Sequence, residues 1–120
     1  MTTSVQNRRL TGPYCGYHQN WEGEPFRELT EVGAGTPSGE LLRRYWHPIH
    51  IADEVGDLPK LIRILGEELV LFRDLSGNYG LVQKKCPHRR ASLEFGRCEQ
   101  HGIRCCYHGW VFDIDGTLTP

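Results

Sequence analysis

The sequence predicts an all-β fold, a small antiparallel sandwich or barrel built from short strands. The 120 residues are enough for one domain. Their apolar stretches are short and rich in β-branched and aromatic residues, and clusters of Gly, Pro, Asp, Asn and Ser separate them. The composition, 38% hydrophobic and 24% charged, is that of an ordinary globular protein, which excludes a fibrous repeat or a disordered tail.

The N-terminal part of the chain predicts an irregular leader followed by one short helix. Residues 1–35 mix glycine and proline with polar side chains and show no sustained period. The stretch Thr36-Pro37-Ser38-Gly39-Glu40 is typical of a helix start, because proline lies near the first turn, and we expect the helix to end at Pro48. We therefore divide the chain into a leader, 1–35, and one domain, 36–120.

Five short strands are predicted after this helix. The first two form a hairpin whose turn lies at Gly66 and Glu67. Turn-forming residues at 74–78 follow the second strand, and those at 113–116 follow the fifth. A last segment, Thr117–Pro120, comes after the second of these turns. The predicted strands are Leu61–Leu65, Glu68–Phe72, Tyr79–Gln83, Ile103–Cys105 and Trp110–Phe112.

Charge and hydropathy exclude several classes of partner. With 14 basic and 15 acidic residues the formal net charge is -1, so no strong field attracts nucleic acid or an anionic membrane. No apolar run approaches the ~20 residues that a membrane-spanning helix needs, and the N-terminus carries no secretory signal. We therefore expect a cytoplasmic protein, in which cysteines are metal ligands or free thiols rather than disulfides.

Two short loops pair a cysteine with a histidine. They are Cys86-Pro87-His88 and Cys105-Cys106-Tyr107-His108. Thiolate and imidazole ligands suit zinc or iron, and they disfavour magnesium and calcium, which bind oxygen. Zinc fingers generally keep two cysteines near one turn and two histidines near another, whereas here each loop is mixed. Mixed loops fit a two-iron cluster in which one iron takes both cysteines and the other takes both histidines.

The residues around these loops resemble the Rieske domain at the N-terminal end of Rieske non-haem iron oxygenases, most closely the phthalate dioxygenase-like branch. The resemblance covers about Thr36 to Pro120. Its most specific part is the set of four ligand positions. The matching residues are Cys86-Pro87-His88-Arg89, Ala91-Ser92-Leu93, Gly96, Cys105, Tyr107-His108-Gly109-Trp110, Phe112-Asp113 and Gly116, with 39–48 and 66–73 upstream.

The resemblance implies a [2Fe-2S] cluster held by Cys86 and Cys105 on the inner iron and by His88 and His108 on the outer iron. It implies electron transfer within an oxygenase that hydroxylates or demethylates an aromatic compound, with a reductase or ferredoxin as donor. His108 is the expected electron exit, toward a carboxylate beside a mononuclear Fe(II) in the neighbouring subunit of a homotrimer. That iron belongs to a C-terminal domain, and only 12 residues follow His108, so we expect a truncated chain with no catalytic residue of its own.

This chain departs from the family pattern near the cluster. Arg90 stands where the family usually has glycine, and if that position has a positive φ, arginine costs about 1 kcal/mol. Ala91 and Tyr107 occupy the places of the two cysteines that brace respiratory Rieske sites, so no such disulfide is expected. The resemblance also suggests that Pro87 and Trp110 shield the cluster, and that Arg89 and Arg90 stabilise its charge or dock a redox partner.

The remaining cysteines, histidines and tryptophans are interpreted as bystanders. We expect Cys106 to pack against the sheet as a free thiol, and Cys15 and Cys98 to be unligated as well. Trp46, like Trp110, is interpreted as a core or cluster-shielding aromatic. The histidines expected at the surface or in local hydrogen bonds are His18, His47, His50 and His101.

Two alternatives stay open. One is a stand-alone Rieske ferredoxin, a carrier rather than part of an enzyme. The other is a structural zinc-binding module that mediates protein interactions.

Overall fold

The computed structural model describes residues 25–120, which form two three-stranded antiparallel sheets. The all-β antiparallel prediction is confirmed, and within the described residues the sheets do not close into a barrel. In the first sheet the strand order is β1-β2-β3, and in the second it is β4-β5-β6. The strands are β1 (Lys60–Ile64), β2 (Glu67–Arg73), β3 (Tyr79–Gln83), β4 (Arg97–Cys98), β5 (Ile103–Arg104) and β6 (Val111–Phe112).

The predicted helix is present as α2 (Pro37–Leu42). The Thr36 side chain caps it by accepting a hydrogen bond from the Gly39 N–H at 3.2 Å, and Pro37 opens the first turn, where no N–H is needed. The helix ends at Leu42, earlier than the predicted end at Pro48. The backbone N–H groups of Arg44 and Tyr45 bond only three residues back, so the chain leaves the helix through tight turns.

The leader is only partly described, because residues 1–24 lie outside the described range. Its remaining part contains a one-turn helix, α1 (Arg27–Thr30), although 1–35 was predicted to be irregular. Single turns of 3-10 helix occur at Ala52–Glu54 and Leu93–Phe95. Among residues 25–120, no helix is long and apolar enough to cross a membrane.

The β1–β2 hairpin turns one residue earlier than predicted, at Leu65 and Gly66 rather than at Gly66 and Glu67. Both turn residues have positive φ, 49° for Leu65 and 76° for Gly66, which matches the right-handed twist of the strands. Glu67 instead pairs with Ile64 as the first residue of β2. The prediction was wrong here because leucine rarely adopts a left-handed conformation.

One core joins the two sheets to the cysteine loops. Val70 and Phe72 of β2 are fully buried, and so is Ile103 of β5. Cys86 and Cys105 belong to the same buried cluster, which places the start of each loop inside the core. Trp46, which we expected in the core or over the cluster, is fully exposed instead.

Candidate metal centre

The two cysteine loops have the same backbone hydrogen bonds. We call residues Cys86–Ala91 loop 1 and residues Cys105–Trp110 loop 2. In each, the N–H of the first residue donates to the carbonyl of the sixth, at 2.9 Å in loop 1 and 2.7 Å in loop 2. The N–H of the fifth residue donates to the carbonyl of the first, at 2.8 Å and 3.2 Å. The loops are therefore two copies of one turn, each beginning at a buried cysteine.

The fifth residue of each loop lies in the left-handed region. Gly109 has φ 77° in loop 2, and Arg90 has φ 61° in loop 1. The positive φ on which the expected cost of Arg90 depended is thus present. This conformation costs about 1 kcal/mol of stability for arginine, because its Cβ crowds the backbone there.

The two loop cysteines lie side by side in the core. Cys86 is 1% exposed and Cys105 is 3% exposed. Burial raises the pKa of the Cys86 thiol, and the adjacent Cys105 sulfur raises it further, although backbone N–H groups of His88 and Arg89 donate to the Cys86 sulfur and oppose the rise. A cation bound between the sulfurs would reverse this, because metal coordination deprotonates a thiol.

The two loop histidines also lie together, but at the surface. The ring centroids of His88 and His108 are 4.5 Å apart, with the ring planes at 67°. Trp110 stacks on His88 with the centroids 4.4 Å apart and the planes only 6° from parallel. Tyr107 contacts the His108 ring at a centroid distance of 3.8 Å. Each imidazole thus contacts an aromatic neighbour, and the shielding role expected of Trp110 stays a prediction.

The donor set fits a binuclear cluster better than a single ion. A small pocket is lined by all four predicted ligands, with the cysteines on its buried side and the histidines on its exposed side. Within residues 25–120, no three His, Cys, Asp or Glu side chains converge on one metal position. The buried pair of sulfurs and the exposed pair of imidazoles match the ligand set of a two-iron cluster, in which each iron takes one pair of ligands. The assignment of Cys86, His88, Cys105 and His108 as ligands stays a prediction.

The other singled-out cysteines and histidines lie away from this pocket. Cys106 is exposed, so the expectation that it packs against the sheet was wrong. It occupies the second position of loop 2, where the equivalent residue of loop 1, Pro87, is also exposed. Cys98 is buried, and none of the four cysteines in the described part of the chain forms a disulfide.

The described histidines outside the loops make local hydrogen bonds, as expected. Nε2 of His47 lies 2.7 Å from the Leu42 carbonyl, and Nδ1 of His50 lies 2.9 Å from the Ile51 carbonyl. His101 contacts the Ser76 hydroxyl at 3.4 Å. The predictions for Cys15 and His18 fall outside the described residues.

An arginine–glutamate network that the sequence did not reveal holds loop 2. Arg104 donates from Nη1 to the Gly109 carbonyl at 2.9 Å and from Nε to the Glu99 carboxylate at 2.6 Å. Arg97 donates to the same Glu99 oxygen at 2.7 Å. The Arg104 and Arg97 hydrogen bonds hold the pKa of Glu99 below its usual value. The sequence signal was three charged residues on one short hairpin, and their partners could not be assigned before the fold was known.

Comparison with known proteins finds similarity over most of this chain. The family model for the Rieske [2Fe-2S] domain matches residues 45–119. The tert-butanol monooxygenase / tert-amyl alcohol desaturase oxygenase subunit of Aquincola tertiaricarbonis is 58% identical over 76% of this chain and 19% of that protein. The phenoxybenzoate dioxygenase subunit alpha of Ectopseudomonas oleovorans is 53% identical over 83% of this chain and 24% of that protein. The chain thus spans about a fifth to a quarter of the length of these relatives.

Solved structures agree with the sequence comparison. Pseudomonas putida CBB5 NdmA, solved with caffeine, has a TM-score of 0.61 and 31% identity, covering 68% of this chain and 25% of that chain. Apo dicamba monooxygenase also has a TM-score of 0.61 and 31% identity, covering 65% of this chain and 24% of that chain. With a family model that matches three fifths of its length, this chain belongs to the Rieske [2Fe-2S] domain family.

Proposed function

We propose that this chain is the electron-transfer domain of a Rieske non-haem iron oxygenase. One observation carries the proposal, the sorting of the predicted ligands into a buried sulfur pair and an exposed imidazole pair. When bound, a [2Fe-2S] cluster accepts and releases one electron at a time. Cys86 and Cys105 would hold such a cluster from the core side, and His88 and His108 would hold it from the solvent side, within reach of another protein.

The residues around the histidines keep this outer end in one arrangement. Trp110 fixes the plane of the His88 ring by stacking, and the Arg104 hydrogen bond fixes the carbonyl that follows His108. We assign the electron exit to His108, toward a mononuclear Fe(II) site located elsewhere in the full enzyme. Ordered imidazoles favour fast transfer because little rearrangement is needed when the charge of the site changes.

The proposal for the whole enzyme rests on its relatives. Several are named as oxygenase subunits or alpha subunits that act on aromatic acids, including phenoxybenzoate, phthalate and 3-chlorobenzoate. We propose an aromatic compound as substrate, hydroxylation or demethylation as reaction, a reductase or ferredoxin as donor, a homotrimer as assembly and the cytoplasm as location. The relative named for tert-butanol indicates that the Rieske part alone does not decide the substrate.

The proposed domain begins near residue 36 and the leader precedes it. The family match starts at residue 45. Arg43, just after α2, donates to the Leu65 carbonyl at 2.9 Å and to Glu67 at 3.2 Å, so the helix is tied to the β1–β2 hairpin. These contacts support including α2 in the domain. Arg43 also donates to the Val32 carbonyl at 3.2 Å, so the boundary at residue 36 itself rests on the sequence pattern.

Spectroscopy tests the proposal directly. Purified protein, reconstituted with iron and sulfide, is expected to be reddish-brown, to hold two irons per chain as a [2Fe-2S] cluster, and to give a rhombic EPR signal after one-electron reduction. Cys86→Ser and His108→Ala are expected to lose this signal, while Cys98→Ser keeps it. Colourless protein with one tightly bound zinc would contradict the proposal and support the structural zinc module.

A second measurement separates an oxygenase domain from a stand-alone ferredoxin. The gene is sequenced beyond the codon for Pro120, and the longer product is assayed for substrate-dependent oxygen consumption. An oxygenase requires a downstream pair of histidines with one carboxylate, the usual ligand set for non-haem iron. A product that only relays electrons to other proteins would instead be a carrier.

A further inference from the structure

Loop 1 is flanked by three positive charges that have no ion-pair partner in the described part of the chain. Lys85, Arg89 and Arg90 are all exposed, and within residues 25–120 none of them takes part in an ion pair. Neither loop contains an acidic residue. Arg89 borders the pocket between the predicted ligands, and Lys85 and Arg90 border an adjoining open groove that also reaches Cys86.

Other cations near the loops are paired with carboxylates, which distinguishes these three from them. Lys84 lies 3.2 Å from the Glu68 carboxylate, and Arg97 and Arg104 lie 2.7 Å and 2.6 Å from that of Glu99. The groove has three acidic residues along its border. Glu67 and Glu68 are paired with basic residues, and the Asp115 carboxylate accepts a hydrogen bond from the backbone N–H of Thr117. Since the whole chain has a net charge of -1, the positive field at loop 1 is local.

Arg90 adds a second argument, because its conformation costs stability. Glycine at this position has no such cost, as Gly109 shows in the equivalent position of loop 2. The Arg90 guanidinium forms no hydrogen bond or ion pair with any other described residue that would offset the cost. A strained, charged and unpartnered side chain beside a functional loop is typical of a residue that acts on another molecule.

We propose that Lys85, Arg89 and Arg90 form the docking surface for an acidic electron-donor protein, an inference that rests on the proposed electron-transfer function. Exposed Pro87 and Tyr107 lie among or next to these cations and supply the apolar contact that an interface centre needs. One electron leaves the reduced iron–sulfur centre of the donor and enters the cluster of this chain. No bond forms or breaks, and the two centres approach across the groove that reaches Cys86 and Pro87, which neither His88 nor His108 lines.

Charge complementarity predicts how this surface acts. Opposite charges steer the encounter and raise the association rate, and salt weakens the effect by screening. The three cations are therefore expected to control the rate at which the donor reduces this protein, with little effect on reduction by a small uncharged reductant.

The test uses the full-length oxygenase with its cluster and an acidic plant-type [2Fe-2S] ferredoxin as the probe. The variant Lys85→Glu/Arg90→Glu, which leaves the ligand pocket unchanged, is compared with Arg44→Glu, which reverses an exposed cation after α2 that also lacks an ion pair among the described residues. Stopped-flow absorption follows reduction by the reduced ferredoxin at low and high salt. Isothermal titration calorimetry gives the Kd between the two oxidised proteins. Photoreduced deazaflavin serves as the small uncharged reductant.

The double variant is expected to lose about tenfold or more in second-order rate and in affinity at low salt, and most of the salt dependence with it. Arg44→Glu and the deazaflavin rates are expected to stay within about twofold of the unmodified enzyme. Equal ferredoxin rates for all proteins would overturn the docking surface. So would dissociation of the oligomer in the double variant, because the cations would then face a neighbouring subunit. If the unmodified enzyme holds no reducible cluster, the proposed function itself fails.

Discussion

Arg90 and Gly109 occupy equivalent positions in two copies of one turn, and glycine adopts the required conformation at no steric cost. We expect Arg90→Gly to raise the free energy of unfolding by about 1 kcal/mol, because the left-handed backbone at φ 61° is relieved. Gly109→Ala is the matched control and is expected to lower it by a similar amount. A Cβ at Gly109 meets nothing closer than Arg104 Nη1 at 3.6 Å, so the backbone alone decides its effect. Urea unfolding of both variants measures the difference, and a less stable Arg90→Gly protein would contradict it.

Arg104 acts on the site through a carbonyl oxygen of loop 2. Arg104→Met removes the donor to the Gly109 carbonyl and one of the two partners of Glu99, so we expect a loss of about 1–3 kcal/mol and faster release of iron to a chelator. Arg97→Met is the control, because Arg97 contacts the same carboxylate but not the loop and its side chain is 75% exposed. It is expected to cost at most about 0.5 kcal/mol. Equal iron release from the two variants would show that Arg104 does not position loop 2.

Individual residues differ in how well the sequence predicted them. The four predicted ligands line one pocket, and the sequence could group them because cysteine and histidine at short spacing carry a specific chemistry. The cost at Arg90 was foreseeable from the glycine usual at that position. The role of Arg104 was not, because Glu99 and Gly109 reach it only through the pairing of β4, β5 and β6. The exposure of Trp46 was missed because an aromatic side chain is more often buried than not.

At the level of elements, the β2–β3 connection depends on one buried carboxylate. Asp74 is 4% exposed, and its Oδ1 accepts the N–H groups of Ser76 at 3.0 Å and of Asn78 at 2.8 Å. Burial by itself raises the pKa of Asp74, but the hydrogen bonds from Asn78 and its neighbours outweigh it and leave the pKa below the usual value. This turn is therefore stabilised by the charged form of one side chain.

The acid sensitivity of the fold follows from this shift. A carboxyl group with a lowered pKa in the folded state contributes stability above its unfolded pKa of about 3.9, and the contribution is lost as the pH falls through the folded value. Asp74→Asn is expected to be less stable at neutral pH and to lose less stability than the unmodified protein between pH 4 and the folded pKa. Urea unfolding at a series of pH values measures this. Asp53→Asn, at an exposed position, is the control, and an unchanged acid slope in Asp74→Asn would refute the assignment.

The strands that the sequence predicted best are those with alternating apolar residues or a β-rich composition. β3 was predicted with its observed bounds, and β2 within one residue at each end, because their residues alternate or are rich in β-branched and aromatic types. The two-residue strand β4 and the helix α1 were missed, since elements this short leave no periodic signal. The early end of α2 was missed because backbone turns, and not the proline at position 48, terminate it.

At the scale of the whole molecule, the same core supports both sheets and the two loop cysteines. Val70 and Phe72 from the first sheet and Ile103 from the second lie in one buried cluster with Cys86 and Cys105. A buried cavity anywhere in this cluster removes contacts from residues that touch the loops, because protein interiors are closely packed and transmit such changes. Iron binding and fold stability should therefore be coupled through the core.

Substitution of Ile103 tests this coupling. Ile103 is 0% exposed and pairs across the small sheet with Cys98 and Phe112. We expect Ile103→Ala to lower the free energy of unfolding by about 2–5 kcal/mol and Ile103→Val by about 0.5–1.5 kcal/mol, with faster loss of iron to a chelator in the same order. Val55→Ala is the control, because Val55 is 2% exposed but lies outside this core cluster, so it is expected to destabilise the fold with little effect on iron retention. If the iron-release rates of Val55→Ala and Ile103→Val show the same dependence on the free energy of unfolding, the core packing has no specific effect on the cysteine loops.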